Sequence, residues 1–204
     1  AVPFDKFPKS RGPLPISESL PGGPLKVLMS VPFAEGRRAR ELKQLLDLDI
    51  VPVLVGGHGY PNPTALKSKK KKVFRAPPDE VRAMRRGLNQ PSDLILLAGT
   101  FWGWFPEDVQ QEILRQVSER RAGLLFWAPA TLPDIPQILK ENDVDPTDTE
   151  PVVLTYGKGQ LGIVKGGDYY RGLQLSEELY RAIVSLTRRD SGVKIDWKSG
   201  DGLR

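Results

Sequence analysis

Strand-length apolar runs alternate with helix-length amphipathic stretches through most of this chain. The clearest run is Leu94–Ala98 (LILLA), which is apolar at every position, as is typical of a central strand covered on both faces. The stretch at residues 106–121 predicts a helix, with Gly123 just beyond its end and with inward positions Val109, Ile113, Leu114 and Val117. This alternation predicts an α/β fold, a three-layer open and mainly parallel sheet with helices on both faces.

The remaining strands and helices are predicted from the same two patterns, apolar runs and amphipathic stretches. Strands are predicted at residues 25–30, 50–55, 124–128, 152–155 and 161–165, and helices at 35–47, from Pro78, at 134–141 and from Ser176 to Arg189. Core positions of the helix from Pro78 are Val81, Met84 and Leu88, and those of the last helix are Leu179, Ile183, Val184 and Leu186. Pro52 indicates that the second strand lies at an edge or contains a bulge, because proline cannot donate to a sheet ladder. A tight turn after Tyr156 predicts a late antiparallel strand pair at an edge of the sheet.

The chain divides into three segments by composition. Residues 1–24 are rich in proline and lack periodicity, which predicts an extended arm or linker. Residues 25–190 carry the α/β pattern, and residues 191–204 are predicted to be a C-terminal tail leading to a missing segment. The start at Ala1, without an initiator methionine, is typical of a segment excised or processed from a longer protein. The other domains of that parent are therefore the expected partners.

Composition excludes several classes of function. The chain has no cysteine and one histidine, His58, so disulfides, cysteine nucleophiles and multi-histidine metal sites are ruled out. The net charge of +5 comes from five lysines within residues 67–72, a run more typical of a solvated loop tip than of a phosphate-binding face. No segment approaches the roughly 18 continuous apolar residues of a membrane-spanning helix. We expect no nucleic acid, no membrane and no cofactor.

Two blocks of sequence resemble class I glutamine amidotransferase-like domains. One is the strand Asp93–Gly99 with the helix 106–121 and Gly123-Leu124-Leu125 behind it, and the other is the hairpin Tyr156-Gly157-Lys158-Gly159. The resemblance spans roughly residues 25–189 and implies a flavodoxin-like fold. It also implies a sharp turn after a central strand, where members of the family hold a cysteine nucleophile that a downstream histidine activates.

The residues for that chemistry are missing here. The matching turn follows residues 124–127 and reads Ala128-Pro129-Ala130-Thr131, which contains no cysteine. No histidine follows His58, so the Thr131 hydroxyl has no visible general base to activate it. The resemblance therefore implies a non-catalytic member of the family.

Candidate ligand-binding residues lie in the loops that leave the carboxyl ends of the predicted strands, where open α/β sheets bind ligands. These residues are His58, Tyr60, Thr100, Trp102, Trp104 and Thr131. The two tryptophans belong to the aromatic loop, residues 100–105, and two indole rings can stack on a sugar or a base. The alternative, which the sequence favours, is that the rings cover the end of the sheet or bind the proline-rich arm.

The residues around His58 and an acidic stretch also allow two interpretations each. The glycines around His58 allow backbone N–H groups to converge on an anion, but a lone histidine in a loop is more often a surface or hydrogen-bonded residue. The acidic residues Asp143, Asp145, Asp148 and Glu150 lack the spacing of an EF-hand, so a solvated loop is favoured over a calcium site. No metal site is predicted.

These observations lead to a first hypothesis and two alternatives. We expect a non-catalytic binding or scaffold module of a larger protein, with carbohydrate as the small-molecule ligand suggested by the tryptophans. The alternatives are a hydrolase with a reorganised site around His58, and a protein–protein interaction module that uses the aromatic loop. The localisation stays open.

Overall fold

The computed structural model describes residues 23–56, 76–100, 102–128, 152–164 and 177–187. The strands are β1 (Leu25–Pro32), β2 (Leu48–Val55), β3 (Leu94–Ala98), β4 (Gly123–Trp127), β5 (Val152–Tyr156) and β6 (Gly159–Val164). The α-helices within these residues are α1 (Arg37–Leu45), α2 (Pro78–Leu88), α3 (Glu107–Arg120) and α4 (Glu177–Leu186). Short 3₁₀ turns cover Phe33–Glu35 and Trp102–Trp104. The predicted helix at 134–141 lies outside the described residues.

The described strands form one sheet in the order β2-β1-β3-β4-β6-β5. The first five in this order pair in parallel, and β5 runs antiparallel to β6. The prediction of an α/β fold with a mainly parallel sheet is confirmed. The parallel strands have the 2-1-3-4-5 order of flavodoxin-like sheets when β6 is counted as the fifth.

Two apolar clusters lie on opposite faces of this sheet. On one face, α2 and α3 pack with Met84 and Ile113 against β-strand residues such as Ile95 and Phe126. On the other face, Leu42 of α1 and the inward residues of α4 pack against residues such as Leu96. Because β3 contributes side chains to both clusters, all five of its residues are buried, as the LILLA run predicts.

The helices match the predicted stripes with small differences. Val81, Met84 and Leu88 of α2 are buried, and so are Val109, Ile113 and Val117 of α3. Leu114 and Val184 were predicted to face inward, but each is only half-buried because it lies at the margin of its apolar stripe. At the end of α3 the residue in the left-handed conformation is Arg121, with φ of 64°, and Gly123 instead begins β4.

Pro52 lies in β2, which forms one edge of the sheet. The prediction of an edge position is confirmed. Proline is tolerated there because, among the described strands, only β1 forms a ladder with β2, which leaves the other side of β2 without one.

The hairpin between β5 and β6 requires glycine residues because it lies very close to α3. The Lys158 N–H donates to the carbonyl oxygen of Ser118 at 2.8 Å, which holds the turn against the last turn of the helix. Gly157 has a φ of 58°, a conformation that favours glycine. A methyl group at Gly159 would fall on the carbonyl oxygens of Val117 and Ala122.

Replacing Gly159 with alanine is therefore expected to lower the free energy of unfolding by about 1–3 kcal/mol, since the neighbouring atoms are backbone and cannot turn aside. Gly103 is the matched control, because a Cβ there meets nothing within 4 Å. Gly103→Ala should change stability by no more than about 0.5 kcal/mol, or raise it. Chemical denaturation of both variants measures the difference. Equal losses in the two variants would contradict the packing of this hairpin on α3.

Candidate functional site

The carboxyl ends of the parallel strands meet at one edge of the sheet, here called the carboxyl edge. The chain passes from β1 to β2 on one side and then crosses to β3 on the other side, so the topological switch point lies between β1 and β3. Of the predicted site residues, Thr100, Trp102 and Trp104 are described by the structure. His58, Tyr60 and Thr131 lie outside the described residues.

Thr100 lies at the switch point as part of a buried pair of hydroxyl groups. Its Oγ1 is 3.1 Å from the Oγ of Ser30 on β1, and both side chains are almost completely buried. Thr100 Oγ1 also lies 3.1 Å from the carbonyl oxygen of Ala98 and 3.4 Å from that of Ser30, so it can donate to either. The pair links the two strands at their ends. Sequence reasoning missed Ser30, although a polar residue between apolar neighbours near the end of a strand is a usable signal.

Trp102 is packed inside the protein. Its ring leaves 8% of its surface exposed and meets Phe126 of β4 edge to face, with centroids 5.8 Å apart and an interplanar angle of 69°. This geometry is favourable for aromatic pairs because the positive edge of one ring meets the negative face of the other. The contact joins the aromatic loop to the core on the α2 and α3 face.

Trp104 is held by a carboxylate that also holds a second loop. The indole Nε1–H donates to Oε2 of Glu80 at 2.8 Å, and the backbone N–H of Gly56 donates to Oε1 of the same carboxylate, also at 2.8 Å. The Trp104 carbonyl oxygen accepts from the N–H of Ala76 at 2.8 Å. Glu80 therefore joins the start of α2 to the end of β2 and to the aromatic loop. The sequence identified Glu80 only as an acidic residue suited to the first turn of a helix.

These contacts bear on the two interpretations of the aromatic loop. A ring that stacks on a sugar or a base must offer an open face, whereas Trp104 leaves only 5% of its surface exposed. The burial of both rings favours packing over ligand stacking. Binding of a ligand by these tryptophans would require the loop to leave Glu80 and Phe126.

The turn after β4 has an unusual backbone. Ala128 has a φ of 50°, in the left-handed region that non-glycine residues seldom adopt. Its N–H donates to the carbonyl oxygen of Val164 at 2.8 Å, and the N–H of Gly99 donates to the carbonyl oxygen of Trp127 at 2.7 Å. The turn is thus held from both neighbouring strands.

Trp127 itself is fully buried on the α1 and α4 face, and none of the described residues accepts a hydrogen bond from its indole N–H. Sequence reasoning assigned Trp127 only to a strand.

The ionisable side chains of Arg38 and Tyr180, on helices α1 and α4, are constrained by their neighbours. Arg38 of α1 is 5% exposed and pairs with Glu35 at 3.2 Å and Glu41 at 2.6 Å. Burial, with a smaller contribution from Glu41, raises the pKa of Tyr180 on α4 to about 12. The Tyr180 phenol therefore stays protonated near neutral pH and is not a base there.

Among the described residues, no cluster of three or more histidine, aspartate or glutamate side chains is placed to hold a metal ion. None of the described helices has the length and apolar character needed to span a membrane.

Comparisons with protein-family models, with curated proteins and with solved structures found no match to this chain.

The bridge from Glu80 to Trp104 yields a direct test. Trp104→Phe keeps most of the buried ring but removes the donor, so it should lower the free energy of unfolding by about 1–3 kcal/mol through the unpaired carboxylate oxygen. Glu80→Ala removes the acceptor, and the double variant should be less destabilised than the sum of the two single variants by about 1 kcal/mol. Urea denaturation of the four proteins measures this coupling. Strict additivity would show that the two groups do not interact.

Proposed function

We propose that this chain is a non-catalytic α/β domain that acts as a binding or scaffold module within a larger protein. The observation that carries the proposal is Ala128, a positive-φ residue placed directly after the central strand β4. The amidotransferase-like resemblance implies a sharp turn at this place with a nucleophile on it. Here the side chain is a methyl group, which cannot attack a carbonyl carbon.

The architecture supports the same assignment. The strand order, the helix pairs on both faces and the antiparallel partner of β6 are the features expected of a three-layer flavodoxin-like domain with an added edge strand. The hairpin whose sequence resembles the family packs its glycines against α3. A fold of this kind hosts many functions, so the choice of function depends on the residues at the turn.

The hydrolase alternative depends on His58, the one histidine of the chain. The proposal expects no turnover of glutamine, ester, amide or glycoside substrates above the level of a His58→Ala variant prepared in parallel. Any trace activity should be identical in the two proteins, because it comes from contaminants. A turnover rate that depends on pH and disappears in His58→Ala would overturn the non-catalytic assignment.

A specific observation favours contact with protein surfaces as the mode of binding. Phe33, directly after β1, is 64% exposed, and Leu54 of β2 is 42% exposed. Gly36 lies beside Leu54 and the backbone of Phe33, since an added Cβ there would lie 3.1 Å from Leu54 Cδ2 and 3.4 Å from the Phe33 carbonyl oxygen. The Phe33 and Leu54 side chains, here called the Phe33 surface, are exposed apolar groups within the described part of the chain, whereas the two tryptophans are buried. The interaction hypothesis thus moves from the aromatic loop to the Phe33 surface.

Self-association tests this mode with the chain alone. If a second copy covers the Phe33 surface, the mass from light scattering should rise with concentration, and Phe33→Glu should abolish the rise because it places a charge in the contact. Phe33→Leu is the matched control and should retain it. The buried tryptophans of the aromatic loop are unsuited to this test, since a charge at Trp104 would disrupt the core. A constant monomer mass for the unaltered chain would exclude self-association through this surface.

A further inference from the structure

The Phe33 surface lies beside the start of helix α1, and two basic residues share that side of the helix. Leu54 lies against Gly36, which precedes α1 and already has helical dihedral angles, with φ of −55° and ψ of −24°. Arg40 follows Gly36 by four residues and Lys43 follows Arg40 by three, and residues at these spacings are neighbours on the surface of a helix. Arg40 and Lys43 therefore lie on the side of α1 that is next to Leu54.

The basic residues at this side of α1 are not neutralised by the described part of the chain. Arg40 and Lys43 are exposed, and neither forms an ion pair with a described residue. The half-buried Arg37 forms none either. The helix dipole does not account for Arg37, because the start of a helix favours acidic residues and the first turn of α1 has none.

The two carboxylates of this segment are both engaged by one buried arginine. Glu35 and Glu41 lie 3.2 and 2.6 Å from the guanidinium of Arg38. Residues 35–43 contain four basic and two acidic residues, so the segment carries a surplus of two positive charges. This surplus resides on the three basic residues without an ion pair.

The acidic residues of neighbouring elements are directed away from the Phe33 surface. Asp49 of β2 is an odd number of residues from Leu54, so its side chain lies on the opposite face of the sheet. Asp47 lies beyond the far end of α1, where β2 begins. Glu80 lies on α2, on that opposite face, where it accepts hydrogen bonds from Gly56 and the buried aromatic loop. The Phe33 surface is thus apolar with an uncompensated basic rim.

The basic rim and the burial of the apolar side of α1 favour one class of occupant. A twofold contact with a second copy would bring Arg40 and Lys43 close to their own copies, and like charges repel. A bilayer surface needs a helix with an open apolar side, whereas Leu42 of α1 is fully buried against the sheet. A nucleic acid gains little from Leu54, because an aliphatic side chain has no ring on which a base can stack.

We propose that the Phe33 surface and its basic rim bind a segment of a protein partner that carries apolar side chains flanked by carboxylates. The apolar side chains of the segment cover Phe33 and Leu54, and its carboxylates meet Arg40 and Lys43. The proposal names the partner chemistry of a binding module and therefore rests on the proposed function.

Selection from a library of random displayed peptides tests the partner chemistry on the full chain. The enriched sequences should combine aspartate or glutamate with large apolar residues. Enrichment should be lost when Arg40→Glu and Lys43→Glu are combined, because the rim then repels carboxylates. It should persist in the control Arg86→Glu, an exposed position of α2 on the opposite face of the sheet. Failure to enrich such sequences, or enrichment that survives the double charge reversal, would overturn the proposal.

Titration of an enriched peptide separates the two kinds of contact. Phe33→Ala should weaken binding about tenfold, because it removes an apolar anchor. Arg40→Gln combined with Lys43→Gln should weaken binding about tenfold at low salt, and the difference should vanish at about 1 M salt, where exposed charges are screened. Arg86→Gln should stay within about twofold of the unaltered chain. An equal loss in Arg86→Gln and in the double variant would show attraction to net charge alone and would contradict the proposed contact.

Other outcomes would identify a different occupant. Concentration-dependent association that Phe33→Glu abolishes would assign the surface to a second copy and overturn the proposal. Binding of phosphatidylserine vesicles or single-stranded DNA that depends on Arg40 and Lys43, with no acidic peptide enriched, would overturn it as well. Turnover that disappears in His58→Ala would overturn the non-catalytic assignment alone, since peptide binding is measured independently of turnover.

Discussion

The complete burial of β3 is the constraint on which the rest of this molecule depends. A strand closed on both faces cannot carry a polar side chain without a buried partner, so polar groups concentrate where strands end. The Ser30 and Thr100 hydroxyls illustrate this, since they are buried at the strand ends and lie within hydrogen-bond distance of each other. Polar side chains that could bind a ligand are therefore expected where the strands of the sheet begin and end. Hydrogen bonds connect neighbouring elements at both of these edges.

At the carboxyl edge, one carboxylate organises two loops. Glu80 is fixed by its place in the first turn of α2, and each of its oxygens accepts a hydrogen bond from a different loop. The bond from Gly56 holds the end of β2, and the bond from Trp104 turns its indole ring inward. At the opposite edge of the sheet, where β1 and β3 begin, the Asp93 carboxylate accepts the Lys26 N–H and the Asp93 N–H donates to the Lys26 carbonyl oxygen, each at 2.8 Å.

The sequence predicted the fold in most of its essentials and the site only in part. Periodicity located the strands and helices because apolar burial is a property of whole segments. Pro52 indicated an edge strand or a bulge because a residue without an N–H donor is tolerated at few places in a sheet, and the structure places it in the edge strand β2 of the described sheet. The junction between α3 and β4 was harder to predict from the sequence, because Arg121 takes the left-handed conformation that glycine usually occupies. The sequence of the aromatic loop predicted that its two tryptophans take part in packing or in ligand binding. It did not predict the direction in which their rings point. That direction depends on Glu80, which lies 24 residues away along the chain.

At Ala128 the backbone is held by hydrogen bonds, while the half-buried side chain packs against the apolar cluster on the α1 and α4 face. Its strained backbone is held by hydrogen bonds from neighbouring strands, and the side chain takes no part in those bonds. A larger side chain at this position would have to be accommodated by that cluster, while the backbone hydrogen bonds that hold the turn would not change. The turn therefore depends on its backbone for its shape and on the space beside Ala128 for the size of the side chain that it tolerates.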